Sequence, residues 1–214
     1  VNKSKIFKEN DLQGGIDPCS ASKVCIEHLF FSYKKSFFDK NNKQKLATVR
    51  AGNVIGGGDY SEDRLIPDIY KFKKKRKKII LRNPRAIRPW QHVLEPLSGY
   101  LLLAQNLNSK KIRNTFHSWN FGPNLSNCKS VLYIAKYLSK RIKLRIVLKE
   151  NKRSHKPETK ILRLNNVKAR KELGWRPKWS LNKTLDKILL WNDQIKIQKP
   201  ISVCEKQIKE FLKD

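Results

Sequence analysis

The sequence predicts an α/β fold, and three observations carry that prediction. Short apolar, β-branched runs alternate with amphipathic helical stretches from about residue 17 to the end. One of these runs empties into Gly56-Gly57-Gly58, within ATVRAGNVIGGGDYSEDRLIPD (47–68), and strands ending in such loops are where α/β proteins place ligands. Hydrophobic residues make up 39% of the 214 positions, with five Trp and nine Phe. That suffices for a packed core and rules out a disordered composition.

Each element has its own signal. Residues 1–16 are polar and read as a loop. Asp17-Pro18 opens a helix that runs to about Phe38, with Asp17 as N-cap and Pro18 in the first helical position. Asp39 to Lys45 reads as a charged turn and Leu46 to Ile55 as one strand. Leu65 to Lys75 forms a helix with Pro67 in its first turn, and Ile79 to Leu81 a short strand. Two prolines make Arg82 to Trp90 a loop. The helix over Val93 to Leu107 presents Leu97, Leu101 and Ala104 as its apolar face. A strand ends at Trp119 to Phe121, before Gly122-Pro123. Ser130 to Lys140 is helical, Arg145 to Leu148 a strand, and Asn151 to Thr159 a polar loop. Asn166 to Leu173 is a short helix stopped by Gly174, followed by helices over Leu181 to Trp191 and Ile201 to Leu212.

The formal charge is +30, which by itself suggests nucleic acid or an acidic surface as partner. The basic residues are spread over the whole length, however. The one dense cluster, KFKKKRKK at 71–78, fits the solvated face of a helix and the turn after it, so nucleic acid is the less favoured partner. Cys19, Cys25, Cys128 and Cys204 show neither CxxC nor zinc spacing, so no metal site is expected and reduced thiols of a cytoplasmic protein are. No apolar run reaches membrane-span length. The sequence starts at Val1 and contains no Met, which reads as N-terminally incomplete.

Several groups are able to do chemistry. Cys19 and Lys23 stand four apart at the start of the first helix, on one helix face, where the ammonium would favour the thiolate. The alternative is a buried thiol beside a surface charge. Trp90 reads as packing, His92 is open between packing and site, and His28 and His117 read as structural or surface.

The segment Asp17-Pro18-Cys19-Ser20-Ala21-Ser22-Lys23 resembles the catalytic helix start of the extended short-chain dehydrogenases, the NAD-dependent epimerase/dehydratase family. RAGNVIGGGD and RPWQHVLEPLSGY resemble more closely its CDP-glucose 4,6-dehydratases, as do ENDLQGGIDP, WNFGPN and KARKELGWRPKW. The resemblance covers most of the chain. It implies the C-terminal part of a Rossmann-like NAD(P)-binding fold with a small α/β substrate-binding subdomain. Residues 1–58 would be the late Rossmann part, and 59–214 mainly the subdomain, with Rossmann elements returning near 93–122. It implies NAD as cofactor and a nucleotide-sugar substrate, CDP-glucose, dehydrated to the 4-keto-6-deoxy sugar by hydride transfer at C4 and loss of water across C5 and C6. Pairing through the first helix as a homodimer is implied as well. Lys23 matches the family Lys that lowers the pKa of the catalytic Tyr and binds the nicotinamide ribose. Asn53, Arg64 and Leu65 match sugar-nucleotide contacts, and Arg88 an Arg that grips the diphosphate. His155 lies where the family has a His.

The sequence also departs from the family. Cys19 stands at the Tyr position. Its thiol is acidic enough, with a reference pKa near 8.5 against about 10 for Tyr. It lacks the ring, so it falls short of the roughly 2.6–3.2 Å a base needs to its proton. No GxGxxG occurs, and Gly56-Gly57-Gly58 sits too late in the chain to be the dinucleotide loop; it is expected to shape the turn that presents Asn53 and Arg64. NAD binding by this chain is therefore expected to be poor. The alternative to an enzyme is a catalytically impaired remnant that at most binds a sugar nucleotide.

Overall fold

The structure is a computed structural model and describes residues 5–14, 17–38, 45–81, 83–109, 118–148 and 159–214. The expectations for 39–44, 151–158, His117, His155 and the Cys19 side chain lie outside the described residues.

Helix α1 (Pro18–Tyr33) starts as the sequence indicates. The Asp17 carboxylate accepts the Ser20 backbone N–H at 2.9 Å and the Ser20 hydroxyl at 2.6 Å. Asp17→Ala is expected to cost about 1 kcal/mol, read as a lowered urea midpoint at unchanged m-value. The α-helical part ends earlier than expected, because residues Lys34–Phe38 form a π-helical turn.

The single strand expected over 46–55 is two strands, β1 (Thr48–Ala51) and β2 (Asn53–Ile55). Gly52 separates them, and a Cβ there would lie 2.5 Å from the Pro89 carbonyl oxygen. Helix α2 (Leu65–Lys74) and β3 (Ile79–Leu81) follow as read. The expected loop over 82–90 is corrected, since β4 (Ile87–His92) occupies its second half. β4 bonds β6 through Ile87–Pro89 and β2 through Trp90–His92. Pro89 is tolerated because its missing N–H falls where the strand changes partner.

Helix α3 (Leu94–Asn108) leads to β5 (Ser118–Phe121), β6 (Cys128–Ser130), α4 (Val131–Ile142) and β7 (Ile146–Leu148). Helices α5 (Val167–Leu173), α6 (Leu181–Gln194) and α7 (Pro200–Lys213) complete the chain. Ser130 and Ser180 cap α4 and α6, and Gly174 ends α5 at φ +72°.

The strands form three small sheets, a parallel β1–β5 pair, a β2–β4–β6 sheet and a parallel β3–β7 pair. Two cores lie around them. One joins Ile55 and Trp90 with Ile66 and Ile69 of α2, Leu138 of α4 and Ile188 of α6. The other joins Leu103 of α3 with Trp119 and Phe121 of β5 and Leu173 and Trp175 after them. The face expected to bury α3 is corrected: Leu97, Leu101 and Ala104 are exposed, whereas Gly99 and Leu103 are buried. A helix with Leu at three consecutive positions offers apolar residues on more than one side, and Gly99 decides the matter. A Cβ there would overlap Cδ1 and Cε1 of the Phe121 ring.

Residues 5–13 are more than a polar loop. Phe7 bridges Leu164, and the buried Glu9 carboxylate accepts the Asn120 backbone N–H at 2.9 Å. Arg50 donates to both Glu27 carboxylate oxygens at 2.5 Å and to the Glu9 carbonyl at 3.0 Å. Arg50 therefore ties α1 and the N-terminal strap to β1.

Candidate functional site

A cleft of about 720 Å³ opens where β2, the loop after it, α2, β3 and the start of β4 converge. It is large enough for a nucleotide-sized ligand. Each strand delivers its residues from a parallel or sheet-end position. Asn53 is the first residue of β2, paired with Trp90, and lines the cleft half-buried. Arg64 occupies the N-cap position of α2 without capping it, and its exposed side chain lines the cleft beside Leu65. Arg88 sits at the other side, buried, with Nη1 donating to the Ile87 carbonyl at 2.9 Å. All four residues expected on the substrate side, Asn53, Arg64, Leu65 and Arg88, thus meet in one cleft.

The loop between Asn53 and Arg64 is a shaped turn, as expected. Gly58 has φ +79°, and Asp63, just before α2, takes the left-handed conformation at φ +59°. Asp tolerates that region better than most side chains. The Asp59 carboxylate accepts the Ser61 N–H at 2.9 Å and closes the turn locally. Asp59, Asp63 and Asp68 line the same cleft as the two Arg. It therefore offers cations suited to phosphate oxygens and carboxylates suited to hydroxyl donors.

Asp17 and Ser20 also line the cleft. Sequence reasoning saw Asp17 only as a cap and did not single out Ser20; the i, i+3 pairing of Ser20 with Lys23 was the available signal. The first turn of α1 therefore stands at the cleft. Lys23 lies one turn farther along, exposed, and is not among the lining residues. Asn83, Thr159 and Leu162, none of them singled out from the sequence, also line it.

Trp90 packs, as read: it is buried, its indole N–H donates to the Lys129 carbonyl at 2.9 Å, and it forms part of the cleft wall. His92 is settled as a core residue. It is 2% exposed, and its Nδ1 accepts the Leu94 N–H at 3.3 Å. Its ring lies 4.8 Å from that of Trp179. Burial, with Lys187 nearby, pushes its pKa down to about 4. His28 is exposed on α1.

The description GDP-mannose 4,6 dehydratase belongs to the family model that matches residues 1–188. The chain belongs to the GDP-mannose 4,6 dehydratase family. A curated relative in Salmonella typhimurium, CDP-glucose 4,6-dehydratase, is 41% identical across 94% of the chain. The chain spans 57% of that relative's length. Solved structures show the family fold. A dTDP-glucose 4,6-dehydratase from Bacillus anthracis, in complex with NAD, superposes with TM-score 0.72 at 20% identity, over 91% of this chain and 57% of its own. A UDP-glucose 4-epimerase from Bifidobacterium longum, with NAD+ and UDP, gives TM-score 0.70 at 19% identity, over 91% and 60%. The α/β class and the extended short-chain dehydrogenase architecture are therefore as the sequence indicated.

The glycine triplet does not fit the pyrophosphate of NAD. A dinucleotide loop needs glycines with open space, so that the phosphates approach the backbone. Here the Trp191 indole fills the space over Gly57 and Gly58.

Proposed function

We propose that this chain carries the nucleotide-sugar-binding part of a 4,6-dehydratase and that its ligand is CDP-glucose. The observation that supports it is the convergence of Asn53, Arg64, Leu65 and Arg88 on one cleft. On this reading Arg64 and Arg88 meet the diphosphate, where a guanidinium makes paired, permanently charged bonds. Asn53 and the carboxylates of the loop then meet the sugar.

Residues 1–58 then correspond to the late part of the dinucleotide domain, and 59–214 mainly to the substrate subdomain, with 93–122 returning to the former. NAD is the family cofactor and supplies the hydride chemistry. Lys23 is the residue of this chain assigned to it, and Cys19 stands where the family has its proton-abstracting Tyr. With a short thiol at that position, the reading that follows is sugar-nucleotide binding, with dehydration impaired. The compartment that goes with this reading is the cytoplasm. Among the described residues no helix is long and apolar enough to cross a membrane. A homodimer through α1 fits the exposed Ile26, Leu29 and Tyr33 on that helix.

Calorimetric titration tests the ligand. CDP-glucose is expected to bind the wild-type chain, and Arg64→Gln, at an exposed position, to weaken it by about tenfold, roughly 1.4 kcal/mol. Arg88→Lys keeps the charge but not the fork and is expected to weaken it similarly. A folded chain that takes up no CDP-glucose, or binds it equally well without Arg64, would remove the proposal.

A further inference from the structure

We infer that Trp191, on α6 and outside the cleft, is a positioning residue for the cleft wall through its contact with Gly57 and Gly58. This rests on the reading of the cleft as the nucleotide-sugar site. A Cβ on Gly57 would fall inside the van der Waals shell of Trp191 Cγ and Cδ2, and 2.7 Å from Cδ1. A Cβ on Gly58 would lie 3.3 Å from Cζ2 and 3.4 Å from Cη2. The two glycines therefore run along the indole from its five-membered ring to its far edge. The absence of side chains is a requirement of that packing.

Trp191 is 5% exposed, and its Nε1 has no hydrogen-bond partner among the described residues. It is held by shape alone, so its flat face is what it contributes. On the loop's other flank, a Cβ on Gly56 would lie 3.0 Å from Val93 Cγ1, and the Val93 N–H donates to the Ile55 carbonyl at 3.0 Å. The glycine loop is thus clamped between Val93 and Trp191. Gly56 and Asp59, on either side of the contact, line the cleft, while no residue of α6 does. Tyr70 of α2 lies beside Asn192 and Asp193 of the same helix. The end of α6 thus backs the glycine loop between Asn53 and Arg64.

The clamp predicts that Trp191 acts on the ligand through the loop. Hydrogen exchange of the full chain reads this directly. Trp191→Leu keeps the core apolar but removes the flat face, and Gly57→Ala introduces the clash. Each is expected to speed exchange across 53–64 by roughly tenfold, with the β1–β5 pair unchanged. In the double variant the two effects are expected to be far from additive, because the added methyl no longer meets an indole. Trp191→Phe, which keeps a flat ring against Gly57, is expected to restore near-normal exchange. CDP-glucose affinity is expected to follow the same order. Unchanged exchange over 53–64 in Trp191→Leu would overturn the inference. So would a uniform rise through the chain, or additive effects. Absence of CDP-glucose binding by the wild type would instead overturn the proposed ligand, with the exchange data still deciding the clamp.

Discussion

Glu95→Ala is expected to destabilise the fold by about 3–5 kcal/mol. Glu95 is 1% exposed, near the start of α3. Its Oε1 accepts the Trp179 N–H at 2.7 Å and the Lys178 N–H at 3.1 Å, and Oε2 accepts the latter at 3.1 Å. The backbone carbonyl of the same residue accepts the Trp175 indole N–H at 3.2 Å. One residue therefore holds the GWRPKW segment that precedes α6. Burial raises the carboxyl pKa, while the Trp179 and Lys178 amides pull it down. Truncation leaves two backbone donors without acceptors, each costing about 1–3 kcal/mol, and adds a cavity. Urea unfolding reads the loss as a lower midpoint. Glu95→Gln keeps one oxygen for Trp179 and is expected to lose about half as much. If Glu95→Ala melts like the parent, the carboxylate is not an anchor.

Acid is expected to unfold the chain partly through His92. The imidazole is buried neutral, with a pKa near 4 against an ordinary 6.5. Its Nδ1 is committed as an acceptor to Leu94, and its Nε2 has no partner among the described residues. Between these two values the unfolded chain binds the proton and the folded chain does not, so stability rises with pH. The contribution is present above pH 6.5 and is lost as pH falls through about 4, a total of about 3 kcal/mol. Glu95 works in the opposite sense, because its raised pKa favours folding less as pH rises through its own range. Unfolding free energies at pH 7 and pH 4.5, for the parent and for His92→Asn, isolate the histidine. The parent is expected to lose roughly 2 kcal/mol more than the variant. Equal losses would mean that the imidazole protonates in the folded state without penalty.

Much of this molecule was legible in its sequence where the cause of an element is local. Asp17-Pro18, Ser130 and Gly174 mark helix ends by their own chemistry, and the structure uses each of them so. The convergence of Asn53, Arg64 and Arg88 came from motif resemblance; nothing in their spacing brings β2, α2 and β4 together. What stayed hidden depends on partners distant in the chain. β4 is masked by Pro89, whose tolerance depends on where β2 gives way to β6 as neighbour. Gly52 looks like one more strand residue until the Pro89 carbonyl is placed against it. Arg50 looks like part of the ligand stretch, yet its guanidinium is committed to Glu27 and Glu9.

The indole against Gly57 also bears on how the molecule is made. A chain emerging from its N-terminus produces Asn53, the glycine triplet and Arg64 long before it produces α6. Until then the nascent wall has no backing, and the Lys178 and Trp179 amides that Glu95 gathers do not yet exist. Local helices form early, but the cleft depends on contacts of long sequence separation, which close late and slowly. A translation product that stops before α6 would carry every recognition residue proposed here and still present no finished cleft.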